Sequence, residues 1–225
     1  IVQAMSGFMS LTGEPNGPPQ KAGIAYADIF TGIYATVGIL AALRRRDATG
    51  AGAHVDMALL DSQVAVLANQ AANYLASGVA PKRMGNAHVN VVPYQLFATA
   101  DGQLVIAVGN DSQYRKLCAI LGAPEWAEDP RFVTNAARLA NRAALIPLLA
   151  ARIATWDAQP LSLALEAEGV PAGPINDLAA AFADPQVMAR GMRIRPDGAF
   201  IDGVASPIVI DGERMVAATG APPLP

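Results

Sequence analysis

The chain has 225 residues, 52% hydrophobic and 16% charged, with 16 Lys and Arg against 19 Asp and Glu for a net charge of −3. That length can bury a substantial core as one large domain or two small ones, and the composition is far from that of a disordered segment. No global basic field is present, so no nucleic-acid partner is expected and a polyanionic ligand would need local basic residues.

Mean hydropathy is +0.29, which raises the question of a membrane span. The most apolar stretch, Ile33 to Leu43 with Thr36 and Gly38 inside it, falls short of the roughly 20 residues a span needs. No basic segment followed by an apolar one and a cleavage site is visible, and a cytoplasmic protein without a membrane partner is expected. Cys118 is the single cysteine, which excludes an intrachain disulfide and a cysteine-based zinc cluster. His54 and His88 have no ligand-like spacing, so no metal is expected. Ile1 stands where an initiator methionine would, and the chain closes on Ala221-Pro222-Pro223-Leu224-Pro225, so a piece of a longer protein is expected.

In chain order, the first predicted element is a helix with Asp28 as its N-cap. Its apolar stripe of Ile29, Phe30, Ile33, Tyr34, Val37, Leu40 and Ala41 runs to Arg44-Arg45-Arg46, and Gly50 and Gly52 break the chain. Residues 53–59 alternate as a short strand, and a helix follows over about 60–76, closed by Gly78. Helix, strand, helix suggests part of an α/β sheet layer. From Pro81 to Pro93 neither period holds, which marks a domain boundary or a functional loop. Two apolar runs, 94–99 and 103–108, flank Asp101-Gly102 and predict a hairpin. Helices are predicted over 112–121, over 135–154 with a kink or break at Pro147, and over 159–168. Residues 170–177 read as a turn-rich connector, Asp177 caps a helix through Phe182, and Asp184-Pro185 begins another that ends near Gly191. Residues 192–210 read as strands or loops. The resulting domains are 1–80, 81–185 (a small α+β unit) and 186–225.

Asp28 is the residue on which most chemistry could rest. As a helix cap it is unremarkable; as a carboxylate in a partly dry cleft, steadied by helix-start amides, it is a nucleophile, and the two roles are compatible. The segment from Gly85 through Asn86 and His88 to Tyr94 is either an interdomain linker or a substrate loop. In the second case Gly allows close approach and Asn, His and main-chain amides bind a carboxylate or oxyanion. Arg44-Arg45-Arg46 and Lys82-Arg83 read as solvated, and Asp56 and Asp61 as turn and cap residues.

Several runs together resemble the class III CoA-transferases, the family of formyl-CoA transferase, carnitine CoA-transferase and 2-methylacyl-CoA racemase. They are Gln3-Ala4-Met5-Ser6-Gly7, Thr12-Gly13-Glu14-Pro15, Ala27-Asp28, Gly38 to Leu43, Val55 to Asp61, Gly85-Asn86-Ala87-His88, Pro93-Tyr94-Gln95, Asp129-Pro130-Arg131-Phe132, Gly169-Val170-Pro171 and Gly173 to Asn176. The resemblance implies that Asp28 attacks an acyl-CoA thioester, forming a mixed anhydride and then an aspartyl-CoA thioester. It implies a substrate site that includes Gly85, Asn86, His88, Tyr94 and Leu59, with coenzyme A as substrate and no further cofactor. Asn69 through Tyr74 and the 87–95 stretch look most like the transferases that use succinyl-CoA and glutarate. The loop at Gly85 lacks the glycine run of formyl-CoA transferase, which disfavours oxalate or formyl substrates. The implied fold is α/β, an incomplete Rossmann-like large domain with a small α+β domain, in an interlocked homodimer when complete. The main CoA pocket is expected in a segment before Ile1. Two alternatives stay open: a racemase, with a second acid or base near Asp111, and a non-enzymatic chain that binds a partner.

Overall fold

The computed structural model describes residues 1–217 and 219–220. Residue 218 and residues 221–225 of the predicted third segment lie outside them.

The N-terminal region is helical. Two short helices, α1 (Val2–Met5) and α2 (Phe8–Leu11), precede the 24-residue α3 (Tyr26–Thr49). Gln3 of α1 holds the approach to α3. Its Oε1 accepts from the Ala22 N–H at 2.8 Å, and its Nε2 donates to the Ile24 carbonyl at 3.3 Å. Phe8, Tyr26 and Phe30 then pack ring on ring, with centroid separations of 5.2 and 4.7 Å. Gly50 ends α3 in the left-handed conformation, as expected of a C-terminal glycine.

The apolar stripe of α3 does not face a core within this chain. Ala27 is its one buried residue, while Ile33, Val37 and Leu40 are 53%, 59% and 61% exposed. With an 18-residue window of mean hydropathy 1.5, α3 is long and apolar enough to cross a membrane, which the short Ile33–Leu43 stretch understated. A helix whose apolar face is covered by protein meets the same criterion.

Residues 51–58 have no regular secondary structure and Leu59 opens a helix, so the strand predicted over 53–59 does not form. A strand needs a neighbour to take its N–H and C=O groups, and alternation along one segment cannot supply it. The helix predicted over 60–76 is two, α4 (Leu59–Ala65) and α5 (Ala68–Ser77), divided where Ala68 takes φ 47°. Helix α4 packs on α3 and α1.

The core belongs to residues 92–170. Strands β1 (Tyr94–Ala98) and β2 (Gln103–Ala107) form the predicted hairpin, antiparallel with Tyr94 opposite Ala107. At its turn the Asp101 carboxylate accepts from Thr99 Oγ1 at 3.0 Å and from the Ala158 N–H at 2.8 Å, and these bonds hold it below the usual carboxylate range. Helix α6 (Asp111–Ile120) is capped by Asn110, and a 3-10 turn covers Pro124–Ala127. Helices α7 (Asn135–Ala140) and α8 (Arg142–Ile153) follow. The break falls at Asn141, not at Pro147, which sits inside α8. After α9 (Ala158–Ala167), the predicted connector contributes β3 (Ala172–Pro174), antiparallel to β2. One face of the sheet and the helices bury Leu104, Ile106, Tyr114, Leu117, Leu149 and Leu165 completely.

Helices α10 (Leu178–Ala183) and α11 (Pro185–Ala189) begin at the caps expected. Asp177 accepts from the Ala180 N–H, and Asp184 accepts from Gln186 and Val187. Two small ribbons close the described chain: β4 (Arg193–Ile194) with β5 (Gly203–Val204), and β6 (Val209–Ile210) with β7 (Glu213–Arg214).

Candidate functional site

Asp28 is the third residue of α3, and the N-cap is Ala25. The predicted capping role is therefore corrected. The chain enters the helix three residues earlier than the pattern suggested, and Gln3 and the aromatic cluster fix Ala22 to Tyr26. The expected dry cleft is also not formed within this chain, where Asp28 is exposed. Its carboxylate makes no hydrogen bond or ion pair among the described residues, and it lies in the first turn, where the helix dipole favours negative charge. Asp56 is likewise exposed, in the irregular segment before α4, and Asp61 sits inside the first turn of α4, whose N-cap is Ala58.

A cleft of about 460 Å³ opens between α2 and α5, lined by Ser6, Ser10, Leu67, Gln70, Tyr74 and Leu75 among others. Phe8 of α2 packs on Tyr26 of α3, two residues before Asp28. The lining is mostly apolar, but Oε1 of Gln70 is buried there without a partner. Leu59, the first residue of α4, is exposed.

The loop before β1 is stitched to the Thr12–Gly17 turn. The Gly85 N–H donates to the Gly13 carbonyl at 3.1 Å. Arg83, read from sequence as solvated, donates to the carbonyls of Glu14 at 3.3 Å and Gly17 at 2.8 Å. The glycines are required by geometry. Gly85 has φ 58°, and a Cβ there would stand 3.3 Å from Glu14 Oε2; at Gly13, φ is 118° and a Cβ would meet the Pro18 carbonyl at 2.9 Å. Asn86 is exposed at the tip.

His88 is placed from four sides. Its N–H donates to the Tyr94 carbonyl at 2.8 Å, and its carbonyl accepts from Arg142 Nη2 at 2.6 Å. Its ring stacks on Tyr94 with centroids 5.2 Å apart. Its Nδ1 accepts from the Asn90 N–H at 3.1 Å. An accepting Nδ1 puts the proton of neutral His88 on Nε2, which leaves that nitrogen as a hydrogen-bond donor. The structure thus joins His88 to Tyr94 and Gly85 to Gly13, while no hydrogen bond joins Asp28 to this loop.

Sequence reasoning missed Asn73, Asn90, Asn135, Arg138 and Arg142, which hold the loop. The available signal was Asn135, Arg138 and Arg142 at i, i+3, i+7 on an otherwise apolar helical face. Asp111 is not free: it pairs with the fully buried Arg138, Nη2 to Oδ1 2.8 Å. No group of three or more His, Cys, Asp or Glu able to hold a metal occurs among the described residues. Cys118 is buried beside Tyr114, and burial pushes its thiol pKa up. Native protein is therefore expected to resist iodoacetamide and to take up one alkyl group when unfolded; stoichiometric labelling of native protein, read by mass spectrometry, would contradict this burial.

The model of CoA-transferase family III matches residues 1–224. Over 213 residues the chain is 54% identical to a succinate–glutarate CoA-transferase of Agrobacterium fabrum, covering 93% of this chain and 53% of that protein. It is 43% identical over 192 residues to the mouse succinyl-CoA:glutarate CoA-transferase, covering 85% of this chain and 44% of the relative. A crystal structure of a CAIB/BAIF family protein from Brucella suis superposes with TM-score 0.80 at 52% identity, covering 99% of this chain and 58% of that one. The chain therefore spans about half the length of these relatives. Its mixed α/β architecture, its motifs and its family match agree: the chain belongs to CoA-transferase family III.

Proposed function

We propose that the complete protein transfers coenzyme A from a dicarboxylyl-CoA such as succinyl-CoA to a carboxylic acid, with Asp28 as the nucleophile. The observation that carries this is an exposed carboxylate without a partner, set in the first turn of α3 where its negative charge is favoured. Similarity to the succinate–glutarate enzymes supports the dicarboxylate class.

In the proposed sequence a carboxylate oxygen of Asp28 attacks the thioester carbonyl. The C–S bond breaks, CoA leaves as thiolate, and a mixed anhydride remains. The thiolate then attacks the aspartyl carbonyl, releasing the donor acid as carboxylate and leaving an aspartyl-CoA thioester. The acceptor carboxylate attacks that thioester and expels the thiolate, which finally attacks the acceptor acyl carbon of the new anhydride and regenerates Asp28. No water is consumed, and splitting one exchange into four attacks keeps each barrier lower. The Nε2–H of His88 is a donor suited to a substrate carboxylate or carbonyl, with Gly85, Asn86, Tyr94 and Leu59 around the acyl group.

The larger assembly is proposed on the same basis: a Rossmann-like large domain completed by further chain, which supplies most of the CoA pocket, in a cytoplasmic interlocked homodimer. A racemase is disfavoured, because Asp111 is committed to Arg138 and a second acid or base must be free to reach the α-carbon.

The test is mass spectrometry of the full-length protein after incubation with succinyl-CoA and hydroxylamine. A hydroxamate on the peptide containing Asp28 is expected; none in folded protein that is competent to bind CoA would remove the covalent mechanism.

A further inference from the structure

We propose that Asn135, Arg138 and Arg142 are a clamp that sets the position of the His88–Val92 loop and, through it, the affinity for the acid substrate, with Arg142 as the positioning residue for His88. The inference rests on the proposed role of that loop in the transferase reaction.

The three residues occupy one face of α7 and α8, across the break at Asn141, and all three reach main-chain atoms of the same five-residue stretch. Arg142 Nη2 donates to the His88 carbonyl at 2.6 Å. Asn135 Nδ2 donates to the Asn90 carbonyl at 2.9 Å, and its Oδ1 accepts from the Val92 N–H at 3.1 Å. Arg138 Nε donates to the Val92 carbonyl at 2.6 Å. Every contact is to backbone, so the clamp fixes the path of the loop whatever its side chains do. Asn90 ties the same stretch to α5 by exchanging amide hydrogen bonds with Asn73 at 3.2 and 3.3 Å. The loop is thus held between the N-terminal helices and the α+β core, at the join of the two regions that carry Asp28 and Tyr94.

Arg142 differs from Arg138 in how its nitrogens are satisfied. Each guanidinium nitrogen of Arg138 has a partner, Nη1 donating to the Phe132 carbonyl and Nη2 to Asp111. Arg142 leaves Nη1 buried without a partner, and burial lowers its pKa. Among the described residues the His88 carbonyl is the one hydrogen-bond partner of the Arg142 side chain. With the His88 peptide bonded on both sides and Nδ1 accepting from Asn90, the only freedom left to the ring is removed by its stack on Tyr94. Releasing the carbonyl lets the peptide rotate, and the Nε2–H loses its aim.

The experiment uses the full-length protein, succinyl-CoA and glutarate, and compares Arg142→Ala, Arg142→Lys and Asn135→Ala with Asp28→Asn. Loss of one charged hydrogen bond is expected to raise the glutarate KM about tenfold in Arg142→Ala while kcat changes by less than about threefold, with Arg142→Lys recovering most of the loss. Hydrogen exchange should quicken at the amides of residues 88–92 and stay unchanged in β2. Asn135→Ala, which leaves the α8 side chains in place, should reproduce both effects if Arg142→Ala does not fold. Unchanged KM and unchanged exchange in a folded variant overturn the clamp. An active Asp28→Asn would instead overturn the transferase mechanism, so the two failures are distinguishable.

Discussion

Asp28→Asn in the full-length protein is expected to lower CoA transfer by at least about a thousandfold, because an amide cannot form the anhydride. The substitution is nearly isosteric and the site is exposed, so folding should be little affected. The first-turn charge contributes at most about 1 kcal/mol to α3. Transfer rate and thermal midpoint measured together separate the two effects: a large loss of rate at a nearly unchanged midpoint is the expected result. A rate within about tenfold of the parent would return Asp28 to an ordinary first-turn residue. Asp61 and Asp56 provide controls of the same chemistry on neighbouring elements, and their amide variants should retain transfer.

Arg138→Ala is expected to be strongly destabilising, costing about 3–5 kcal/mol. Arg138 is fully buried with its guanidinium over the Tyr114 ring, 4.4 Å from the centroid. Its nitrogens serve the carbonyls of Val92 and Phe132 and the Asp111 carboxylate at 2.6, 2.9 and 2.8 Å. Removing it leaves two buried carbonyls without donors and a cavity against Tyr114 and Phe132, each a separate cost. Urea denaturation monitored by Trp126 and Trp156 fluorescence reads the loss. Asp111→Asn should cost much less, because that carboxylate is part-exposed and water can replace it. If the two variants were equally destabilised, the ion pair and not the backbone hydrogen bonds would be the main contribution.

Much of the 94–190 region was readable because its signals are local. Asp101-Gly102 between two apolar runs produced the hairpin, and Asp177 and Asp184 cap the helices they were expected to cap, since an Asx side chain needs only the amides two or three residues on. The errors are non-local. Residues 53–59 have the alternation of a strand, but no described segment accepts their hydrogen bonds. Pro147 was expected to kink a helix that breaks instead at Asn141, whose Nδ2 bonds the carbonyls of Arg131 and Ala137. Residues 172–174 look like a turn, yet the free edge of β2 recruits them as a strand.

The site divides along the same line. By itself the amino-acid sequence determined the helical periodicity of α3 and the order of motifs that places the chain among family III CoA-transferases, a resemblance from which Asp28 is proposed as the nucleophile. Those properties reside in residue types and short spacings, which the chain carries into any surroundings. Tertiary structure alone decided that Asp28 lies inside the first turn, that the α3 stripe is left uncovered within this chain, and that three helical residues grip the loop carrying His88. Each depends on which distant groups meet a backbone amide, a carbonyl or an apolar face, and hydrogen-bond partners 43 to 54 residues apart leave no trace in a local pattern.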